Sequence, residues 1–446
     1  MLNLLLASSV MATSLAAPAI ALQKSGVGST STRVPQGQAL LDDLSRRAVT
    51  FFVQESNPVT GFTKDRASNL GAPDRFDISS IASTGFSLSA YAIGAERGWI
   101  PRDDALARSR NTAQQVLTKV PHYKGWFVHF YHWQTAARAW ESEYSTIDTA
   151  IFLAGLLVAE RAFKDPQLTA TTNAILNRID WSAMLTDGGA KPASLTFSHG
   201  YRPEAGGYLG NRWDWYSEQL ILVLLGLGSW TGMPTGAWGA IDRPVATYQG
   251  IDTLVGGPIF LHHMSNIFVD FRSRRDAQGY DYWVSSRNAA LAQIAYATAN
   301  PKGWKGYGPN VWGLSACDSP TGYKAHGFQG FGEDDGTLAP MGAVTSVFLT
   351  RAESLRAAET LRLRYPNIFG RYGFSVSFNP TQNWVSPDVI GIDIGMMLLG
   401  IENARDRFPQ RMAMSHPIIA KGIIRAGLKV TNEGAVASRP LKLSAR

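Results

Sequence analysis

Apolar residues recur at helical spacing through most of this chain, and several runs are apolar on nearly every side. Leu40, Leu44, Ala48, Phe51 and Phe52 mark a first helix. Ile78, Ile81, Phe86, Leu88 and Tyr91 mark a second, opened by Asp77, and Pro101-Arg102-Asp103-Asp104 starts a third with proline and acids in its first turn. The same reading predicts helices over residues 145–163, 167–179, 212–228, 284–299, 340–349, 351–365 and 390–404. The run from Leu220 to Leu225 has no polar face, and a helix of that kind is buried on all sides. Strand-like alternation is scarce, and neither a βαβ rhythm nor a glycine-rich phosphate loop occurs. About ten helices without a fixed repeat favour a toroid of helix hairpins over a solenoid, so the expected fold is all-α, an α/α barrel.

The connections are long. Residues 121–144, 197–217, 230–283, 301–339 and 366–389 read as loops, and loops of this length in a compact domain carry function. They hold most of the 13 tryptophans, among them Trp126, Trp133, Trp140, Trp213, Trp215, Trp283, Trp304, Trp312 and Trp384. One tryptophan staples a loop to the core, whereas so many together suit a groove that stacks flat, hydroxyl-rich ligands such as sugars.

Composition narrows this further. Of 446 residues, 45% are hydrophobic and 17% charged, which supports a large core and excludes a disordered or coiled-coil chain. Nothing resembling a linker interrupts residues 38–408, which read as one catalytic unit. Residues 1–21 hold an apolar run closing on Ala19-Ile20-Ala21, a signal-peptide pattern that predicts a periplasmic or secreted protein, although no basic residue precedes Lys24. That run is too short to span a bilayer. Residues 22–37 read as a flexible segment, and residues 409–446 as a basic, partly disordered C-terminal extension. Cys317 is the sole cysteine, so the chain can form neither an internal disulfide nor a multi-cysteine zinc site. The net charge of +7 is dispersed, densest at Arg272, Arg274 and Arg275, and forms no nucleic-acid-binding stripe.

Candidate chemistry lies where the buried helices begin. Glu218 follows the aromatic, polar stretch Asn211-Arg212-Trp213-Asp214-Trp215-Tyr216-Ser217 and precedes the apolar run from Leu220. Asp148 precedes the apolar run Ala150 to Ala159, and Asp393 the run Ile394 to Ile401. In an α/α barrel the inner helices run parallel, so their amino ends gather on one face and would bring three carboxylates into one cavity. Each acid also has a simpler explanation, since Ser145-x-x-Asp148 fits a capping box and helix-starting acids are favoured by the helix dipole. Burial beside apolar helices weighs the other way, because it desolvates a carboxylate unless it is paired or protonated. Glycoside hydrolysis uses such a pair, one acid protonated and one ionised. A helix amino end lowers a carboxyl pKa, however, so Glu218 can act as an acid only if burial or neighbouring carboxylates outweigh the dipole.

A further acidic cluster, Glu333-Asp334-Asp335, is flanked by glycines and follows Tyr323-Lys324-Ala325-His326. It lacks the spaced ligands of a calcium loop, and sugar hydroxyls are its expected partners. His129-x-x-His132 and His262-His263 have no companion at metal-ligand spacing, so structural or substrate-facing roles are expected.

Several of these stretches together resemble the bacterial glucoamylase-like family of glycoside hydrolases, which includes endo-β-1,2-glucanases. The resemblance is carried by Ser145-Thr146-Ile147-Asp148-Thr149-Ala150, Tyr216-Ser217-Glu218, Gly257-Pro258-Ile259-Phe260 through Asp270-Phe271-Arg272, Trp312-Gly313-Leu314-Ser315-Ala316-Cys317-Asp318, Asp335-Gly336-Thr337-Leu338-Ala339-Pro340 and Gly391-Ile392-Asp393-Ile394-Gly395. It implies an (α/α)6 barrel and a hydrolase without metal or cofactor that acts on β-1,2-linked glucose chains with inversion. By the same resemblance Glu218 is the general acid, Asp393 the base side, and Asp148 a further essential acid. The loops and these segments together give an expected substrate-contacting set of Trp126, Trp133, Trp213, Tyr216, His262, Arg272, Trp312, Asp318, Tyr323, Glu333, Asp334, Asp335 and Trp384. Ser217, Cys317 and Asp148 depart from the commoner family residues. Two other readings fit the aromatic groove, a polysaccharide lyase on an acidic glycan and a catalytically silent glycan-binding module.

Overall fold

The computed structural model describes residues 36–431 except residues 72, 74, 256 and 329–331. The expected signal peptide, nearly all of the N-terminal segment and the tail from residue 432 lie outside the described residues. Helices build the core, in chain order α1 Gln38–Gln54, α2 Ile81–Glu96, α3 Arg102–Lys119, α4 Thr146–Phe163, α5 Pro166–Arg178, α6 Trp181–Thr186, α7 Leu220–Ser229, α8 Gly236–Gly239, α9 Phe260–His263, α10 Tyr282–Ala299, α11 Pro340–Thr345, α12 Arg351–Arg364, α13 Gly391–Arg405, α14 Phe408–Met414 and α15 Pro417–Arg425. Among the described residues, no helix is long and apolar enough to cross a membrane.

Two kinds of helix differ by how much of their circumference is apolar. In α2 every residue from Ile81 to Gly94 is buried, in α7 every residue from Leu220 to Gly228, and α4 and α13 are nearly as enclosed. In α3 only Ala105, Ser109, Thr112, Ala113 and Val116 are buried, and in α12 only Ser354, Ala357, Ala358 and Leu361, the one-sided stripe of an outer helix. The enclosed helices touch one another in sequence: α2 packs on α4, α4 on α7, α11 on α13, and α13 back on α2. Between α7 and α11 lie the helical turns from α9 to Val269, continued by Met264 N–Phe260 O and Ile267 N–His263 O bonds. Ser265 Oγ accepts there from Ile221 N at 3.0 Å, and His263 Nε2 meets Ser346 Oγ at 2.8 Å just beyond α11.

Two expectations are corrected here. The helix placed over 212–228 starts only at Leu220, because residues 211–219 are drawn into loop pairing: Trp215 bridges to Asp242, and Tyr216 N and Asp242 N donate to Asp242 O and Asp214 O. The stretch 230–283, read as one loop, contains α8 and the α9 turns. The loops themselves are stitched by ribbons of two to four residues, too short to show alternation in a sequence. Beyond residue 408, α14 packs on α4 and α15 on α7.

Close approach of inner helices depends on glycine. A Cβ on Gly85 would lie 2.3 Å from Phe152 Cα, and one on Gly155 would lie 2.0 Å from the Gly85 carbonyl oxygen. Alanine at an unhindered helix position is about 1 kcal/mol more favourable than glycine. Here the sign reverses, and Gly155→Ala should destabilise the protein by about 1–3 kcal/mol in urea unfolding through α2–α4 overpacking. A stability gain would show that the two helices do not meet at this point.

Candidate active site

Short ribbons lead into the amino ends of α2, α4 and α13, the last two of which carry Asp148 and Asp393 in their first turns. Ile78–Ser80 pairs with Phe130–His132 and runs into α2, Tyr144–Ser145 pairs with Gly200–Arg202 and runs into α4, and Asp388–Ile390 pairs with Arg66–Ser68 and runs into α13. The last register sets Arg66 opposite Ile390, and Gly391 N donates to Asp65 O at 2.7 Å. Asp65 and Arg66 are thereby fixed beside the first turn of α13, which carries Asp393.

Asp148 is both a cap residue and part of the cluster. Its backbone N–H donates to Ser145 Oγ at 3.2 Å, and the Ser145 hydroxyl returns a 2.6 Å bond to Asp148 Oδ2, a reciprocal N-terminal cap. Its other oxygen lies 3.5 Å from His129 Nε2, and His129 Nδ1 lies 2.9 Å from Glu143 Oε1. Burial raises the Asp148 pKa, and Glu143 and Asp65 add to the rise against the pull of His129 and Ser145. Burial works against a charge on His129 as well, but Asp148 and Glu143 overcome it and carry its pKa to about 9. Glu143, despite its own burial, is held at about 2 by His129.

Glu218 is half-buried in the turn before α7 and accepts from the Ser217 hydroxyl. Its pKa is raised, first by burial and then by the charge of Asp148, against the Ser217 bond and its own backbone N–H. Asp393 is buried in the first turn of α13 with Oδ2 lacking a hydrogen-bond partner. It borders an apolar void of about 10 Å³ together with Met341, Phe374, Val389 and Met397. Burial pushes its pKa well above the usual carboxylate range, Asp318 and Asp65 push the same way, and Arg66 opposes them. Arg66 pairs with both oxygens of Asp318 and lies 3.8 Å from Asp388.

Tyr323, 54% exposed, feels the charges of Asp393 and Asp318, and Trp213 closes the α4 mouth by donating from Nε1 to Thr146 Oγ1 at 2.9 Å. Trp384 is half-buried on the ribbon Phe378–Asn379 with Trp384–Val385. Trp133 is half-buried with the Lys64 ammonium 4.6 Å from its ring.

The remaining expected contacts are placed elsewhere. Trp126 and Trp312 are fully buried core residues; Trp126 donates to Asp180 O and meets Trp181 edge-on. Tyr216 and His262 lie buried behind Glu218 with their hydroxyl and Nδ1 3.4 Å apart. Arg272 pairs with Asp270 and Gln410, and Gln410 N in turn binds Asn403 Oδ1 in the last turn of α13. Asn403 is ten residues along α13 from Asp393, roughly 15 Å at 1.5 Å per residue, so Arg272 belongs to the opposite end of the helices. The acids of the glycine-flanked loop each have protein partners. Glu333 takes Lys324 Nζ, Asp334 takes the Tyr296 and Tyr307 hydroxyls, and Asp335 takes Thr337 N with His326 nearby. Glu333, Asp334 and Asp335 themselves border a cavity of about 400 Å³ with Tyr296, Lys302 and Phe328, and none of the three helix-mouth acids borders it.

Asp65, Arg66 and the His129–Glu143 pair complete the cluster and were not among the expected site residues. A signal existed for the first two: Lys64-Asp65-Arg66 is a charged run between buried Phe62 and Ala67. His129, Glu143 and Asp148 offer ligand atoms within 4.8 Å of one another, the spacing of a cation site. Both imidazole nitrogens already face a carboxylate, so the arrangement is that of an ion-paired histidine.

Burial beneath the mouth holds His262 at a pKa of about 4 and His263 at about 3, below the ordinary 6.5. The unfolded chain therefore binds protons that the folded chain refuses. This contribution to stability is complete above about pH 6.5 and is lost as pH falls through the folded values. The urea midpoint should drop from pH 6.5 to 4.5, and His263→Gln should flatten the drop; a wild-type midpoint that stays constant would show that the rings do not resist charging.

Residues 210–417 match the family model Glycoamylase, described as "Putative glucoamylase". An exo β-1,2-glucooligosaccharide sophorohydrolase (non-reducing end) from Parabacteroides distasonis is 26% identical over 437 residues, covering 89% of this chain. This chain spans 58% of that relative's length. The crystal structure of a "putative glucoamylase" from Bacteroides caccae superposes with a TM-score of 0.79 at 25% identity, covering 88% of this chain and 100% of that one. An endo-β-1,2-glucanase from Chitinophaga pinensis, in complex with sophorotriose and glucose, has the same fold with a TM-score of 0.77 at 24% identity, over 88% of this chain and 98% of that one.

Proposed function

On the premise that residues 210–417 belong to the glucoamylase-like family, we propose that this protein is a glycoside hydrolase cleaving β-1,2-glucosidic bonds in β-1,2-glucan or its oligosaccharides. The observation that carries the reading is the raised pKa of Glu218, caused by burial and by a second carboxylate, Asp148, within its field. A carboxyl whose pKa is raised holds its proton to higher pH than a free glutamate, which is the direction that protonation of a departing glycosidic oxygen requires.

In this reading Glu218 gives its proton to the leaving oxygen as the anomeric bond breaks. Asp393 stands on the base side, removing a proton from the attacking water, which gives inversion. Without substrate the Asp393 pKa is raised, so it acts as a base only after losing its proton, and Arg66 is the cation whose field favours that loss. Asp318, bound by Arg66, shares the same field and keeps the guanidinium in place. Tyr323, Trp213 and Trp384 supply aromatic surface for the sugar rings.

We also infer that α2, α4, α7, the α9 turns, α11 and α13 close as the inner ring of an (α/α)6 barrel, with residues 38–408 as the catalytic domain; the successive helix contacts support that reading. The junction at Ala19-Ile20-Ala21 supports export to the periplasm or medium.

Incubation with linear β-1,2-glucan should release new reducing ends of inverted anomeric configuration, read by polarimetry. Glu218→Gln should lower kcat by about 10²–10⁴-fold with the fold intact. Products absorbing in the ultraviolet would instead mark a lyase, binding without turnover a silent module, and near-full activity of Glu218→Gln would remove Glu218 from the acid role.

A further inference from the structure

A neutral imidazole carries one N–H and can donate to only one acceptor. His129 has a carboxylate against each nitrogen, Glu143 Oε1 2.9 Å from Nδ1 and Asp148 Oδ1 3.5 Å from Nε2. Its ring is held in this plane by stacking on Phe130, with centroids 3.8 Å apart and an angle of 16°. With both carboxylates ionised, a neutral tautomer would point a lone pair at one of them, so this placement favours a proton on both nitrogens. Asp148 in turn directs its other oxygen to the Ser145 hydroxyl, and it is the charged group that acts on Glu218.

We propose that His129 is a positioning residue which, as an imidazolium, holds Asp148 as a carboxylate and thereby keeps the proton on Glu218. The inference rests on the hydrolase reading for its catalytic consequence, but not for its protonation chemistry. Without the imidazolium, Asp148 is left buried beside Glu143 and Asp65 and takes up a proton. Glu218 then loses the negative neighbour that held its own proton. The groups acting on this unit are Asp65 from the loop before the Arg66–Ser68 ribbon, Glu143 and Asp148 at the α4 mouth, and Arg202 and His199, which interact with Glu143.

The direction of the effect separates this relay from its alternatives. Removing a cation that acted directly on Glu218 would raise the Glu218 pKa, and a purely structural histidine would leave it in place. The relay lowers it.

The test is a carbon-13 carboxyl titration of Glu218 in the full chain, wild type against His129→Gln, with His129→Lys retaining a positive charge. The Glu218 midpoint should fall in His129→Gln and recover toward wild type in His129→Lys. An unchanged or raised midpoint in His129→Gln would overturn the proposal. In parallel, the wild-type His129 ring should stay protonated at pH 8 by nitrogen-15 NMR, titrating near pH 9, and the midpoint should drop in Asp148→Asn. A neutral ring at pH 7 would overturn it.

On β-1,2-glucan, His129→Gln should lose roughly 100-fold in kcat at pH 7, with KM changed far less, and its bell-shaped pH profile should narrow from the alkaline side as the Glu218 midpoint falls. A profile of unchanged width would overturn the relay. Absence of hydrolysis by the wild type would sink the glucan reading alone, and the two titrations would still decide the role of His129.

Discussion

Carboxylates removed from water at the amino ends of buried helices are what the rest of this structure has to accommodate. A helix amino end offers partial positive charge and lowers a carboxyl pKa. Here burial is the larger influence, and Glu218, Asp148 and Asp393 all move upward. Two cations answer them. Arg66 lies between Asp318 and Asp388, and His129 between Glu143 and Asp148, so each neutralises one side of the mouth. Asp65 lies where its charge is felt by both groups.

That arrangement follows from packing. Helices apolar on all sides have nowhere to go but the centre, and α2 and α4 approach until Gly85 and Gly155 meet backbone to backbone. Their capped ends then leave little room for side chains, and the ribbons decide which residues occupy it. The pairing of Arg66–Ser68 with Asp388–Ile390 puts a guanidinium beside Asp393, and the approach of Tyr144–Ser145 puts Asp148 within reach of His129. A slip of one residue in the ribbon of Arg66–Ser68 with Asp388–Ile390 would turn Arg66 to the other face and leave Asp318 without that cation.

The same division explains what could be read from the sequence. Helical periodicity is a local signal, so most helices and the three acids that begin buried ones were legible. Partners brought by ribbons were not, because Arg66 and His129 reach their carboxylates through pairings of two or three residues that carry no periodicity. Tryptophan is ambiguous for a different reason: its ring serves a core as readily as a groove, and nothing local distinguishes Trp126, wholly enclosed, from Trp215, half exposed. Arg272 was misplaced because the helical turns from Phe260 to Val269 went unread, and with them the reversal of direction that carries the chain to the far end.

Glu218 shows why the dipole argument from sequence was incomplete. The helix was expected to enclose it, but α7 begins at Leu220, and Glu218 occupies the preceding turn with its main-chain carbonyl bound by Ser265 Oγ at 2.8 Å. Its carboxyl answers first to burial, then to the Ser217 hydroxyl and its own N–H, which favour ionisation, and to Asp148, which opposes it. Of these influences other than burial, only Asp148 is itself titratable, and it acts through its charge. Burial thus sets the direction of the Glu218 shift, and the charge on Asp148 adds to it.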